Sequence, residues 1–404
     1  MSSTSISAVL SNRTHSSTNR WLQVVSHLDP RFGGIASSMP RLCHAMSNLV
    51  ELPVAGFCDP SEIAASEIGK RCSVVTFPRG RARWMFDRRL QDGLRDVIGR
   101  ADGLHIHGIW EEHCAAAAAH AQSLERPYIV SAHGMLESWA IRDKGFKKLI
   151  YSTLVERNNL ARAVCLRALT RTEVWDYRRL GLTNPVALIP NGVDVPAHAD
   201  GRELMVRFPQ FENKRLVLYM GRFHHKKGLD LLCRAWSRIN RGSHDAHLVL
   251  AGHDAGQTAA KTHKLVEELG IAGSVTFTGM LAGSLKWSAL AAATLFVLPS
   301  RSEGFSLAVL EAMGMGVPSI LTRACNFPEI EQLACGWVVD PDEEQIREAL
   351  LQALSASSSV LDAMRAKGRE LVRTRYQWSL IGTQMAQVYD WILGGPMPEC
   401  VEVF

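Results

Sequence analysis

The chain has 404 residues, of which 47% are hydrophobic and 21% are charged, a composition that fits a globular enzyme of about two to three domains. Its net charge of +5 is compatible with phosphate-bearing ligands or an anionic membrane surface, but it is too small to indicate a nucleic-acid-binding protein. No apolar run reaches the roughly 18 residues of a membrane-spanning helix, and the nine cysteines contain no C-x-x-C pair, which argues against a zinc or disulfide framework.

The chain opens with a polar segment. Residues 1–19 are rich in Ser, Thr and Asn and lack an apolar core, so we expect a disordered leader and not a signal peptide. A first strand is predicted over residues 21–26, followed by a loop that ends in Gly33 and Gly34 and a helix over residues 35–48. A glycine pair at a strand-to-helix turn allows a ligand to approach the backbone. A simple tight turn is the other interpretation that these residues leave open.

Short apolar runs alternate with helical stretches along both halves of the chain, which predicts an α/β protein with two parallel sheets covered on both faces. Pro190, Asn191 and Gly192 form a turn signal, and the segment after them has no clear period, so we place the domain boundary after residue 197. Residues 342–404 are predicted to be helical, with a last helix over 378–393. The predicted strands cover residues 50–57, 72–77, 104–109, 128–132, 164–169 and 186–189 in the first half, and 216–220, 247–251, 275–278, 295–298, 319–322 and 337–339 in the second.

Two predicted strands of the first half end in histidines. His133 follows the strand over 128–132 and could hydrogen-bond a ligand or move a proton, although a lone histidine at a strand end is more often structural. His107 and Trp110 end the strand over 104–109 and are candidates to shape a ligand pocket. The His105-Ile-His107 pattern lacks a nearby carboxylate or cysteine, which makes a metal site improbable on spacing grounds.

Residues 79–89 carry five arginines beside Trp84 and Phe86. The commoner explanation of such a run is a solvated helix flank. The sharper hypothesis is that the patch, including Arg81 and Arg83, binds a lipid-diphosphate or anionic headgroups.

Two segments of the second half indicate anion binding. Gly221, Arg222, Lys227 and Gly228 follow the strand over 216–220, and fixed cations beside a freed backbone stabilise charge on a phosphate. From composition alone, a solvated basic turn is the commoner structure. After the strand over 295–298, Glu303 and Glu311 stand with seven residues between them, the first before a predicted helix and the second inside it. Ser306 is a candidate N-cap, and free N–H groups at a helix start suit a phosphate.

Three segments together resemble the signature of the retaining nucleotide-sugar glycosyltransferases of family 4. They are PSRSEGFSLAVLEAMGMGVP, the Gly-Arg and Lys-Gly pairs at 221–228, and the SAHGM segment. The resemblance covers nearly the whole chain from about residue 21. It implies the GT-B fold, in which two Rossmann-like domains face each other across a cleft. It also implies a leader over 1–19, an acceptor-binding domain over 20–197, a donor domain over 198–376 and a segment over 377–404 that returns to the first domain.

The resemblance also implies roles for individual residues. Arg222 and Lys227 would hold the donor pyrophosphate, Glu311 would bind the ribose hydroxyls, and Glu303 and His133 would lie near the transferred sugar. These four, His133, Glu303, Arg222 and Lys227, are the expected catalytic residues. Other expected donor contacts are Gly34, Gly221, Gly252, Met280, Gly304, Phe305, Ser306 and Leu307, and the expected acceptor contacts are Gly33, His107, Trp110, Arg81 and Arg83. No aspartate pair of the metal-anchoring kind is present, so we expect neither an essential metal nor a cofactor.

The function that the resemblance implies is transfer of a hexose from a nucleoside-diphosphate sugar to a saccharide or lipid-linked acceptor, with retention, in bacterial exopolysaccharide or lipopolysaccharide synthesis. We expect a cytoplasmic protein with possible peripheral contact at the inner membrane face and no nucleic-acid partner. The residues leave the sugar, the base and the acceptor open. Alternatives are a GT-B epimerase or phosphorylase and a nucleotide-sugar-binding protein without turnover. A dinucleotide-dependent dehydrogenase is remote, because no G-x-G-x-x-G follows the first strand.

Overall fold

The computed structural model describes residues 19–66, 68–78, 87–136, 155–239, 245–254 and 257–404. Its packing divides the chain into two units, the first ending at Gly192 and including Trp378–Phe404, the second spanning Val193–Gln377. The boundary lies somewhat before the predicted residue 197, because Val193 already belongs to the second core and its N–H donates to the Tyr376 carbonyl. Residues 1–18 of the predicted leader and most of the arginine patch, Arg81 and Arg83 included, lie outside the described residues.

The first unit is built on an eight-stranded sheet with the strand order β14-β7-β6-β5-β4-β1-β2-β3. All neighbouring strands are parallel except β14 and β7. Side chains alternate between two cores: Leu22 and Val24 face one, and Trp21 and Val25 face the other. Each strand predicted in this half overlaps an observed strand. The strands are β1 (Trp21–Val25), β2 (Val54–Gly56), β3 (Val74–Thr76), β4 (Gly103–His107), β5 (Tyr128–Ser131), β6 (Cys165–Ala168), β7 (Val186–Leu188) and β14 (Val401–Glu402).

Helices cover both faces of this sheet. The last helix of the chain, Trp378–Ile392, belongs to this unit and packs on the helix Gly34–Met46. Gly382 allows the close approach, since a Cβ built on Gly382 would lie 2.8 Å from the Ala45 Cβ. In this unit the described helices of the first 192 residues are α1 (Gly34–Met46), α2 (Ser61–Ser66), α3 (Arg88–Gly99), α4 (Glu112–Ser123), α5 (Arg157–Arg162) and α6 (Arg171–Arg179), and the last helix, α15, is Trp378–Ile392.

The prediction that the chain stays helical to residue 404 is wrong. After α15, Pro396 and Pro398 interrupt the backbone N–H pattern that a helix needs. Val401 and Glu402 then form β14, an antiparallel edge strand on β7, and the Leu188 N–H donates to the Cys400 carbonyl at 2.9 Å.

The second unit is built on a six-stranded, wholly parallel sheet with the order β10-β9-β8-β11-β12-β13. Together the two parallel-sheet units confirm the predicted α/β class. The strands are β8 (Arg215–Met220), β9 (Ala246–Ala251), β10 (Val275–Gly279), β11 (Ala293–Leu298), β12 (Ser319–Thr322) and β13 (Gly336–Val339). The helices are α7 (Arg202–Arg207), α8 (Leu229–Ile239), α9 (Thr258–Glu268), α10 (Gly283–Ala292), α11 (Leu307–Gly314), α12 (Glu329–Gln332), α13 (Glu343–Ser355) and α14 (Ser358–Arg375). Among the helices of the described residues, none combines the length and apolarity that crossing a bilayer requires.

Candidate functional site

The loops after β8 and β11 meet at one edge of the second sheet, because these strands are parallel neighbours and their carboxyl ends coincide. The Lys227 ammonium pairs there with the Glu303 carboxylate, although the two residues are far apart in sequence. The Ser300 hydroxyl donates to the same Glu303 oxygen at 2.8 Å. Both partners of the ion pair are mostly shielded from solvent, which fixes an oriented ammonium at the strand edge.

Backbone contacts hold the two loops together. Gly228 has φ +66°, and a Cβ built on it would lie only 2.0 Å from the Pro299 carbonyl oxygen. The Arg301 N–H donates to the Lys226 carbonyl at 2.6 Å, and the Arg301 guanidinium binds both oxygens of Asp230 at 2.7 Å. Glycine is therefore required at position 228, directly after Lys227, for the loops to approach.

Arg222 follows β8 in the same loop and has an exposed side chain. Its carbonyl accepts a hydrogen bond from the Tyr219 hydroxyl at 3.0 Å, which fixes the turn after β8. Gly252, at the end of β9, packs directly on Gly221: a Cβ on Gly252 would lie 1.9 Å from the Gly221 carbonyl oxygen. Met280, after β10, is 54% exposed. These residues occupy the same carboxyl-terminal edge of the sheet as Lys227.

Helix α11 begins next to Glu303, after Gly304, Phe305 and Ser306. Ser306 occupies the N-cap position, as predicted, and its side chain makes no capping hydrogen bond. Phe305 packs against Phe327, with ring centroids 4.8 Å apart, which anchors the loop before the helix. Without a side-chain cap, the first-turn N–H groups, starting at Leu307, can serve an anion.

Glu311 lies in α11 and is buried, so it is not a solvated residue on the helix surface. Its carboxylate accepts a hydrogen bond from Lys286 Nζ at 2.6 Å. The Lys286 ammonium also lies 4.4 Å from the centre of the Trp287 ring, a cation–π contact. Lys286 was missed in the sequence because α10 carries no motif; only the folded chain places it beside Glu311.

Replacing Lys286 with alanine is expected to raise the KM for the nucleotide donor about tenfold while changing kcat less. Without the ammonium the buried Glu311 carboxylate loses its anchor, and hydrogen bonds from charged donors typically contribute roughly 1.5–3 kcal/mol. Steady-state kinetics at varied donor concentration measures the split. Lys264→Ala, which removes only an exposed helix-surface pair with Glu268, is the matched control. An unchanged KM in Lys286→Ala would show that Glu311 does not bind the donor.

In the first unit, His133 has an unusual backbone conformation. Its φ is 53°, in the left-handed region that non-glycine residues seldom occupy and that clusters at functional sites. The next residue, Gly134, donates its N–H to Glu173 at 2.7 Å, which supports the turn. Burial, reinforced by the nearby positive charge of Arg167, lowers the pKa of His133 to about 3, so the ring is neutral at physiological pH.

His107 is fully buried and its Nδ1 lies 3.2 Å from the Nε2 of His133. Its side chain contacts His133 and Gln23 and has no exposed surface, so the acceptor contact expected for His107 stays a prediction. The sequence could not show that His107 is buried, since strand alternation alone does not distinguish a buried polar position from one that lines a ligand pocket.

Trp110 and the glycine pair lie at other strand ends of the same sheet. Trp110 has φ 71°, and its Nε1 donates to the Met135 carbonyl at 3.2 Å. Its backbone N–H donates to Glu156, a carboxyl whose pKa burial raises to about 7. Gly33 has φ 128°, and a Cβ built on Gly33 or Gly34 would meet no atom within 4 Å. The space beside both glycines is therefore open.

The depressed pKa of His133 predicts a pH dependence of stability. An unfolded histidine has a pKa near 6.5 and the folded ring one of about 3, so the unfolded chain binds the proton more readily. The stabilising contribution of His133 is therefore complete above pH 6.5 and is lost progressively as the pH falls towards 3. At pH 5 the loss is about 2 kcal/mol, from ~1.4 kcal/mol for each pH unit below 6.5.

Urea unfolding of the wild type and of His133→Gln at neutral pH and at pH 5 tests this expectation. The wild type should lose about 2 kcal/mol more than the variant on acidification. Other titrating groups, such as Glu173, are present in both proteins and cancel in the comparison. Equal losses would contradict a strongly depressed pKa of His133.

Family models match both halves of the chain. A model described as "Glycosyl transferase 4-like domain" matches residues 33–192, and one described as "Glycosyl transferases group 1" matches residues 201–371. The fold is similar to the crystal structure of Anabaena HepE in complex with UDP and glucose, with a TM-score of 0.77 and 16% sequence identity over 92% of this chain and 100% of that chain.

Two curated relatives extend over nearly the same length. The chain is 27% identical over 395 residues to a GDP-mannose:cellobiosyl-diphosphopolyprenol alpha-mannosyltransferase of Xanthomonas campestris, covering 93% of this chain and 97% of the relative. It is 27% identical over 394 residues to a GDP-mannose-dependent alpha-(1-6)-phosphatidylinositol monomannoside mannosyltransferase of Mycobacterium tuberculosis, covering 91% of this chain and 97% of the relative.

Proposed function

Because the chain belongs to the family 4 glycosyltransferases of the GT-B fold, a class that uses nucleotide sugars, we propose that it transfers mannose from GDP-mannose to a lipid-linked saccharide with retention of configuration. The names of both full-length relatives support GDP-mannose as donor and a lipid-bearing acceptor. GDP-mannose carries its sugar in the α configuration, and both relatives are named alpha-mannosyltransferases, so an α product would mean retention.

The observation that carries the proposal is the oriented ammonium of Lys227 beside the start of α11. An ammonium has three N–H donors, and Glu303 accepts from Lys227 without using all of them. The remaining donors can bind phosphate oxygens, as can the first-turn N–H groups of the helix. Because Lys227 and Glu303 together carry no net charge, Arg222 supplies the additional cation for a diphosphate. Glu311, oriented by Lys286, would accept hydrogen bonds from the ribose hydroxyls.

In the proposed reaction the bond between mannose C1 and the β-phosphate oxygen breaks, and the diphosphate departs with the bonding electrons. The acceptor hydroxyl oxygen forms the new bond to C1 from the same face. Its proton passes to an oxygen of the departing diphosphate, so GDP and the mannosylated acceptor are the products. Charge grows on the diphosphate in the transition state, which fixed cations and helix N–H groups stabilise.

We further propose that this stabilisation needs no divalent ion, and that the protein contacts the membrane peripherally where its acceptor resides. Incubation with chelator should leave GDP release unchanged within about twofold, since Lys227, Arg222 and the α11 N–H groups supply the positive charge. The membrane contact is supported by the lipid acceptors in the names of the relatives. Sedimentation with vesicles that contain anionic lipid should recover the protein, and recovery should fall at high salt.

The experiment that tests the function is a panel of GDP-mannose, UDP-glucose and dTDP-glucose, each offered with a cellobiosyl-diphospholipid, a phosphatidylinositol mannoside or no acceptor. Nucleotide release and mass spectrometry of the lipid are measured. We expect rapid nucleotide release from GDP-mannose and from neither of the other two donors. That release should require a lipid-linked acceptor. Rapid release from a UDP- or dTDP-sugar in its place would refute the donor assignment. NMR of the product anomeric proton then decides between retention and inversion.

A further inference from the structure

One face of the first sheet carries a buried polar layer among its apolar side chains. Gln23 on β1 pairs in register with His105 on β4, so Gln23, His105 and His107 project to one face. Ser131 on β5 and Tyr389 on α15 complete the layer, and all five residues are buried. Buried polar groups are costly unless they are hydrogen-bonded, so such a layer indicates a specific arrangement.

The orientation of the Gln23 amide is fixed by its neighbours. Its Nε2 lies 3.2 Å from the backbone carbonyl oxygen of Trp21 and 3.2 Å from the Tyr389 hydroxyl. A carbonyl oxygen only accepts hydrogen bonds, so the amide nitrogen must occupy that side. The amide oxygen, Oε1, therefore points to His107, whose Nε2 lies 3.0 Å away.

That orientation determines the proton positions on two histidines. Because Gln23 Oε1 only accepts, His107 carries its proton on Nε2, and a neutral His107 then offers the lone pair of Nδ1. The His133 Nε2 lies 3.2 Å from that lone pair and must therefore carry the proton of its ring. The opposite tautomers would place two acceptors against each other at one of these contacts. His133 is left with an unprotonated Nδ1.

We propose that Gln23 and His107 are positioning residues that hold His133 as its Nε2–H tautomer, so that the bare Nδ1 accepts a hydrogen bond from a hydroxyl of a bound sugar. Tyr389 supports the orientation of Gln23 from the last helix. The inference rests on the proposed function for the presence of a sugar, but the tautomer itself follows from the contacts. His133 thus acts as a hydrogen-bond acceptor, while the proton of the attacking hydroxyl passes to the diphosphate.

Neutral rings are required for this chain of contacts, and burial of the histidines favours the neutral form. Burial lowers the pKa of both His105 and His107 well below the ordinary value, and the Arg167 guanidinium adds to the effect. Arg167 is itself held by the carbonyl oxygens of Ile189 and Pro190, at 3.0 and 2.8 Å. Glu173 also lies beside this region and accepts the N–H groups of Gly134 and Leu169.

Long-range proton–nitrogen correlation NMR of the full-length enzyme labelled with ¹⁵N-histidine measures the tautomers directly. His133→Gln assigns the His133 signals. In the wild type at neutral pH we expect His133 with a protonated Nε2 and an unprotonated Nδ1. Gln23→Met removes the amide while keeping a side chain of similar length; it should mix the tautomers of His107 and His133. Ser131→Ala, which removes a partner of His105 in the same layer but none of His107, is the matched control and should leave the His133 signals unchanged.

Kinetics supply the second readout. Gln23→Met is expected to lower kcat at least tenfold with a smaller change in donor KM, because His133 still occupies its place but in mixed protonation forms. A purely structural role would lower the yield of folded protein without moving the His133 tautomer. A wild-type His133 protonated on Nδ1, or a Gln23→Met protein with unaltered His133 signals, would overturn the proposal. The NMR result requires no turnover, so it stands apart from the donor panel that tests the function.

Discussion

Replacing Lys227 with alanine lowers kcat at least about a hundredfold if the ammonium stabilises the departing diphosphate. Removing one fixed group that faces developing charge costs about 3–4 kcal/mol of barrier in comparable sites. The substitution also leaves the largely buried Glu303 carboxylate without its ion-pair partner, while the Ser300 hydroxyl still donates to it. The unpaired negative charge of Glu303 then repels the diphosphate, which lowers kcat further. Donor KM should change less than kcat, because the interaction strengthens as charge develops.

Lys226→Ala is the matched control, since it removes the same charge from the neighbouring position outside the proposed contact. It should retain a rate within about threefold of the wild type. Steady-state GDP release and single-turnover transfer measure the two variants side by side. A Lys227→Ala enzyme as fast as Lys226→Ala would show that the departing diphosphate is held by other groups.

Gly228→Ala is expected to have the second largest effect, on stability and activity together. A methyl group here would lie 2.0 Å from the Pro299 carbonyl oxygen, and the left-handed backbone at φ +66° is strained for any residue with a Cβ. The steric clash and the backbone strain together destabilise the second unit by about 3 kcal/mol. The loops after β8 and β11 must separate to admit the methyl group. Lys227 then moves away from Glu303, and we expect kcat to fall by at least about tenfold.

Gly273→Ala provides the comparison. Gly273 belongs to the same unit, and a Cβ built on it would meet no atom within 4 Å. Urea unfolding and kcat are measured for both variants, and Gly273→Ala should match the wild type in each. If Gly228→Ala unfolded at the same urea concentration as Gly273→Ala, the close packing of the two loops would not exist in solution.

The sequence predicted the fold well because its signals are local. Runs such as residues 295–298 and 319–322 are short, apolar and bounded by turn residues, and each became a buried strand. The exception is Val401–Glu402, a two-residue edge strand that only its pairing with β7 defines. A segment that short has no period of its own, and the residues before it are compatible with a helix end.

The candidate site was predictable in position but not in its pairings. The sequence indicated that residues 221–228 and 303–311 each follow a strand, but only the sheet order, which places β8 beside β11, brings Lys227 to Glu303. Lys286 and Gln23 carry no motif, and each becomes meaningful only through a partner distant in sequence. His107 was predicted to contact a ligand because its strand end resembles that of His133. In the structure its side chain is buried and lies against His133.

A crystal structure with GDP bound is the sharpest test, because the proposed function places a diphosphate at one defined edge of the second sheet. It predicts diphosphate oxygens within about 3.2 Å of Lys227 Nζ and of the first N–H groups of α11, with the ribose hydroxyls on Glu311. A well-ordered diphosphate bound elsewhere, with no oxygen near Lys227 and no ribose hydroxyl near Glu311, would contradict it.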